Sequence, residues 1–126
     1  MSQEPIRVLS TIQFDDEQLA RLRSVSPRIA LQQRPANSEE ELVAVLRDSP
    51  EIVVLYTGRR LPDWSVAPGL EWIQFHFAGI DSVDLSSLPP EVLVTTASGI
   101  HSVVMAEHTF ALLLALRRQV PLMFDW

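Results

Sequence analysis

The 126-residue chain has no cysteine and no lysine, only four glycines and a single tyrosine. Without cysteine there is no thiol nucleophile, thiolate zinc site or iron–sulfur cluster. Its basic residues are ten arginines scattered along the chain against 16 acidic residues, a formal net charge of −6. Nucleic-acid modules concentrate basic side chains on one face, so DNA and RNA are excluded as expected partners. The glycines stand at 58, 69, 79 and 99 and form neither GxGxxG nor GxxxxGK, so no dinucleotide fingerprint or P-loop is present. The longest apolar run, Phe110 to Leu116, is seven residues, against the ~20 needed to span a bilayer. Met1 to Pro5 lacks the basic and apolar regions of a secretory signal. A soluble, cytoplasmic protein without a membrane partner is expected.

The composition itself is 47% apolar and 21% charged, with nine dispersed prolines, which describes a folded chain. Its length matches one domain, of roughly 100–200 residues. Such a chain buries roughly two-thirds of its unfolded surface and stands without disulfides or a structural metal.

Ile6 to Ser10 is a β-prone run. Asp15-Asp16-Glu17 then supplies acids to the first turn of a helix whose Leu19, Leu22 and Val25 recur at helical spacing, closed by Pro27. Arg28 to Gln32 reads as a second strand, and Ser38-Glu39-Glu40-Glu41 as a capping box opening a helix that buries Leu42, Val45 and Leu46. Ile52 to Tyr56 is continuously apolar, the pattern of a parallel strand buried on both faces. Leu70 to Phe75 and Val92 to Thr96 give a fourth and a fifth strand, with a helical turn over 83–88 between them. Repeated strand–helix–strand units favour right-handed crossovers. The expected fold is α/β, a flavodoxin-like open five-stranded parallel sheet with helices on both faces.

From Val103 to Gln119 apolar residues cover nearly the whole circumference of a predicted helix. Such a helix needs partners on several sides, and one small sheet covers only one. The remaining face is expected to meet another domain or subunit, the plainer alternative being that Leu112 and Ala115 sit half exposed.

Ligands of open α/β sheets bind at the carboxyl ends of the strands. There, Thr11 alone is too little for a flavin-phosphate loop, and Ser10-Thr11 with Tyr56-Thr57 lack the acids a magnesium-binding receiver requires. His76 and His101 lie near strand ends and can approach each other, yet no His pair has metal-ligand spacing, so a structural or surface role outweighs a catalytic one. Ser98-Gly99 lacks the first half of a nucleophile elbow. Two segments stand out: Leu70 to Asp81 (LEWIQFHFAGID), where Ala78-Gly79 lets backbone amides approach a ligand, and Thr96 to Thr109, a strand end, loop and helix start.

Together LEWIQFHFAGID and SGIHSVVMAEHTFALLLALRR resemble the NAD-dependent D-isomer-specific 2-hydroxyacid dehydrogenases, the family of glyoxylate/hydroxypyruvate reductases and formate dehydrogenase. The likeness includes the order of strands and helices from Ile6 onward. It implies a substrate domain over 1–100 and a loop and interdomain or dimerisation helix over 101–126, with the nucleotide domain, the catalytic Arg, Glu and His, and the GxGxxG motif all absent. On this reading the chain corresponds to the N-terminal part of such an enzyme and is inactive alone. NAD or NADP serves the full-length parent and does not bind this part tightly. The resemblance further implies that Ala78 and Gly79 present amides to a substrate carboxylate, that Arg60 or Arg59 assists, that Val104 and Met105 lie near the cofactor, and that helix 103–119 supports a homo-oligomer. The alternative is a self-associating or small-ligand-binding flavodoxin-like module without catalysis.

Overall fold

The computed structural model describes residues 4–58, 61 and 64–123. Strands β1 (Ile6–Ser10), β2 (Ile29–Gln33), β3 (Val54–Thr57), β4 (Trp72–Phe75) and β5 (Leu93–Thr95) form one sheet in the order β2-β1-β3-β4-β5. Every pairing is parallel, with Leu9 opposite Leu55 and Leu55 opposite Ile73. This is the expected five-stranded doubly wound α/β architecture, with order reversing at β1 so that chain enters the sheet on both sides.

Helix α1 (Asp16–Ser24) begins at Asp15, whose carboxylate accepts from Gln18 N while the Gln18 side chain accepts from Asp15 N. That reciprocal box was expected at α2 (Glu39–Arg47) instead. There Ser38 Oγ accepts from Glu41 N at 3.1 Å, but the Glu41 carboxylate accepts from Asn37 N at 2.6 Å, one residue before the cap. Both arrangements satisfy amides that a helix start leaves open. The helical turn expected over 83–88 is reduced to a single i→i+3 bond, Leu88 N donating to Leu85 O at 3.1 Å, and no helix forms there. Asp84 instead accepts from Ser86 N at 2.9 Å, a local bond that competes with helix, and Pro89-Pro90 bar continuation.

The two faces of the sheet differ. Leu9, Leu55, Ile73 and Phe75 project to one side and are fully buried beneath Leu42, Val45 and Leu46 of α2. The opposite face carries Ile6, Val8, Leu31, Val54, Tyr56 and Trp72, and none of them belongs to the buried core. Burial along β3 therefore alternates, correcting the expectation of a strand enclosed on both faces. Only α1, through Leu22 and Val25, approaches that face, at its β1–β2 side.

Helix α3 (Ser102–Arg117) is the second departure. It was expected to set one side on the sheet. Among the described helices and strands its near neighbour is the 3-10 turn Val120–Met123 that follows it, and every α3 residue but Ala115 is exposed. The loop before it contains Gly99 at φ 92, a left-handed conformation natural to glycine, and Ser102 Oγ donates to Gly99 O at 2.6 Å. No helix among the described residues is long and apolar enough to cross a membrane.

Candidate functional site

Loops leaving the carboxyl ends of β1, β2, β3 and β4 surround a cleft of about 540 Å³ lined by Ile12, Asn37, Thr57, Gly58, Phe77 and the buried Leu42. It lies where the crossover reversal of a doubly wound sheet opens a crevice. Its floor is fixed by a buried hydroxyl pair, Thr11 Oγ1 donating to Thr57 Oγ1 at 2.9 Å, and by the backbone bond from Thr11 N to Tyr56 O. Thr57 O accepts from His76 N at 2.8 Å, and Phe77 O accepts from Ala97 N at 3.1 Å, tying β3, β4 and the chain after β5 together at this end.

Phe77 leads directly into Ala78 and Gly79. Among the described residues no hydrogen bond engages the amides of these two positions. Gly79 is not in the left-handed region, and a Cβ there would meet only Asp81 Oδ2 at 3.6 Å, an ordinary contact. The turn thus does not require glycine for its conformation. What the segment offers is two open donors beside a strand end, an arrangement suited to an anion's oxygens. Arg59 and Arg60 lie outside the described residues.

His76 is drawn to Tyr56 rather than to His101. The Tyr56 hydroxyl and His76 Nδ1 share a 2.8 Å hydrogen bond, with the phenol donating when that nitrogen is unprotonated. Phe14, Tyr56, His76 and Phe77 form a chain of ring contacts with centroids 5.1 to 5.8 Å apart. His101 precedes α3 and its side chain caps nothing. Among the described residues no group of three or more histidine or acidic side chains could hold a metal ion.

Burial pushes the Tyr56 phenol above its ordinary value of 10.0. A proton held more tightly in the fold than in the unfolded chain contributes stability that is complete below the unfolded value and lost as pH rises through the folded one. Because Tyr56 is the sole tyrosine, an alkaline ultraviolet titration reads it alone. Its midpoint is expected above that of the same chain in denaturant, and coincident midpoints would refute the burial effect.

Val104 and Met105, 64% and 63% exposed, stand on α3, and no α3 residue lines either the strand-end cleft or the cleft on the open sheet face. These residues do not by themselves fit a whole nicotinamide dinucleotide, which needs an enclosing phosphate loop and pocket. Of the segment Leu70 to Asp81, Phe77 lines the cleft, while Ala78 and Gly79 follow it in the chain and are not among the lining residues. The segments did not reveal Ile12, Asn37 and Thr57, which come from the loops after β1 and β2 and from the end of β3 and converge only through strand order.

The sheet order defines a doubly wound α/β domain with a cleft at its carboxyl edge. No family model and no curated protein matches the sequence. Among solved structures, a D-isomer specific 2-hydroxyacid dehydrogenase family protein from Aeromonas salmonicida subsp. salmonicida A449 matches at 26% identity and a TM-score of 0.61, over 98% of this chain and 39% of that one. Phosphoglycerate dehydrogenase from Lactobacillus plantarum matches at 26% identity and a TM-score of 0.55, over 89% of this chain and 35% of that one. The chain is thus similar to solved D-isomer-specific 2-hydroxyacid dehydrogenase family structures, and it spans little more than a third of their length.

Proposed function

We propose that this chain is the substrate-domain part of a cytoplasmic NAD(P)-dependent oxidoreductase that acts on the CH–OH group of D-2-hydroxyacids, reducing the corresponding 2-oxoacids. The observation that carries this reading is the pair of open amides at Ala78 and Gly79 beside the strand-end cleft, in a chain related to such dehydrogenases. A 2-oxoacid carboxylate accepts from those amides, Phe77 and Ile12 exclude water from its carbon skeleton, and Arg60 adds charge. In the whole enzyme NAD or NADP supplies the hydride, and Val104 and Met105 border it. The chain alone holds a carboxylate and does not transfer hydride, because the sequence provides no dinucleotide fingerprint.

Glyoxylate titrated into the isotopically labelled chain is expected to shift the amide resonances of Ala78 and Gly79 selectively, while NADH is not consumed. Unmoved resonances at both positions would remove the carboxylate reading, and NADH turnover would remove the claim of inactivity. A second reading concerns partners. The exposure of nearly all of α3 supports a homo-oligomer assembled through that helix.

A further inference from the structure

The width of the strand-end cleft depends on one residue without a side chain. Gly58, the first residue after β3, lines the cleft together with Ile12 and Phe77. Its φ lies outside the left-handed region, so the backbone there suits any L-residue. A Cβ at this position would stand 3.8 Å from Phe77 Cε2 and 3.9 Å from Ile12 Cδ1, ordinary contact distances. Neither conformation nor close packing therefore demands glycine. What its missing side chain leaves is room between the Ile12 and Phe77 side chains, which a larger residue at 58 would fill.

The walls around that room are fixed and apolar. Ile12 is held by Ser10, whose hydroxyl donates to Ile12 O at 2.6 Å and accepts from Ile12 N at 3.2 Å. Ala36 N donates to Thr11 O at 3.3 Å, which ties the loop after β2 to the loop after β1. Leu42 closes the floor at 1% exposure, and Thr57 Oγ1 is already paired with Thr11 Oγ1. Among the described residues no charged side chain lines the cleft. Its volume of about 540 Å³ lies within the ~300–1,000 Å³ of small-molecule sites, more than a two-carbon acid fills. Phe77 connects this room to the open amides, because it directly precedes Ala78 in the chain and its ring borders Gly58.

We infer that Gly58 sets the specificity of this site by leaving it open to 2-oxoacids with a branched, uncharged side chain, in preference to glyoxylate or a 2-oxodicarboxylate. This rests on the carboxylate reading above and adds the part of the substrate which that reading leaves unspecified. The carboxylate stays with Ala78 and Gly79, and the side chain enters between Ile12 and Phe77, where a branched group touches both walls at once. Each methylene received by such an apolar pocket is worth roughly 10–200-fold in discrimination. A second carboxylate placed there loses its water without meeting a cation among the described residues.

The test titrates glyoxylate, 4-methyl-2-oxopentanoate and 2-oxoglutarate into the full labelled chain and follows the Ala78 and Gly79 amides together with the Ile12 δ1 methyl. 4-Methyl-2-oxopentanoate is expected to bind at least about tenfold more tightly than either other acid, and to shift the Ile12 methyl most. Gly58→Val sets its extra carbons between Ile12 and Phe77 and is expected to reduce the preference over glyoxylate at least about tenfold, with circular dichroism unchanged. Gly58→Val/Ile12→Ala reopens the room and is expected to recover part of the preference, which a general loss of folding does not do. Should Gly58→Val unfold, Gly58→Ala is read in its place, since its Cβ meets no atom closer than 3.8 Å. Equal affinity for the three acids, or a preference that filling position 58 leaves intact, overturns the inference and preserves the carboxylate reading. A shift of the Ile12 methyl without Ala78 and Gly79 preserves the role of Gly58 and removes the carboxylate reading. No shift at any of the three positions overturns both.

Discussion

Phe75→Ala is expected to destabilise the fold by about 3–5 kcal/mol, the cost of emptying an aromatic site in a packed core. Phe75 is fully buried on β4, on the face covered by α2. The magnitude is a large part of the 5–15 kcal/mol that holds a domain of this size together. Leu93→Ala, on the neighbouring strand but directed to the open face at 56% exposure, is expected to cost under about 1 kcal/mol, as an exposed truncation does. Urea denaturation followed by circular dichroism compares them, with the shift read from the midpoint at constant slope. Equal costs would contradict the one-sided core.

Thr57→Val is the second large effect. It keeps the shape of the side chain and deletes a hydroxyl that accepts from Thr11 Oγ1 at 2.9 Å, with both residues almost wholly buried. Thr11 is left with only a 3.4 Å contact to Tyr56 O. Leaving a buried hydroxyl so poorly paired costs about 1–3 kcal/mol. The double variant Thr11→Val/Thr57→Val removes both polar groups and is expected to be more stable than the sum of the single changes predicts. Strict additivity in this cycle would show that the pair does not act as a unit. Because Thr57 also lines the strand-end cleft, its loss is further expected to reduce the amide shifts that glyoxylate produces at Ala78 and Gly79.

The strand-end cleft and the open sheet face serve different ends of the same topology. Parallel strands bring every loop that leaves a carboxyl end to one edge, which gathers Ile12, Asn37, Gly58 and Phe77 from four loops into one cleft. The same winding gathers Val8, Leu31 and Val54 on the opposite face beside α1.

Much of this was legible in the sequence because it depends on local preference. β1 has the bounds that its β-prone run suggested, and the Ser38 cap opens α2 as its hydroxyl and the following acids require. The β4 turn with Ala78-Gly79 was equally visible, since a strand running into small residues is a local pattern. Local preference failed where neighbours compete: the Asp84–Ser86 bond and two prolines displaced a short helix, and Asn37 took the Glu41 carboxylate from Ser38. Hydropathy also identified Val54 and Tyr56 as apolar, but it has no term for which side of the sheet a helix covers. That is settled by where α1, α2 and α3 stand. By itself the sequence determined the α/β class, the absence of thiol, P-loop and dinucleotide-loop chemistry, and a helix that wants partners. Only the tertiary structure decided that the core lies on one face and that Tyr56 holds His76, because burial and pairing belong to residues distant in the chain.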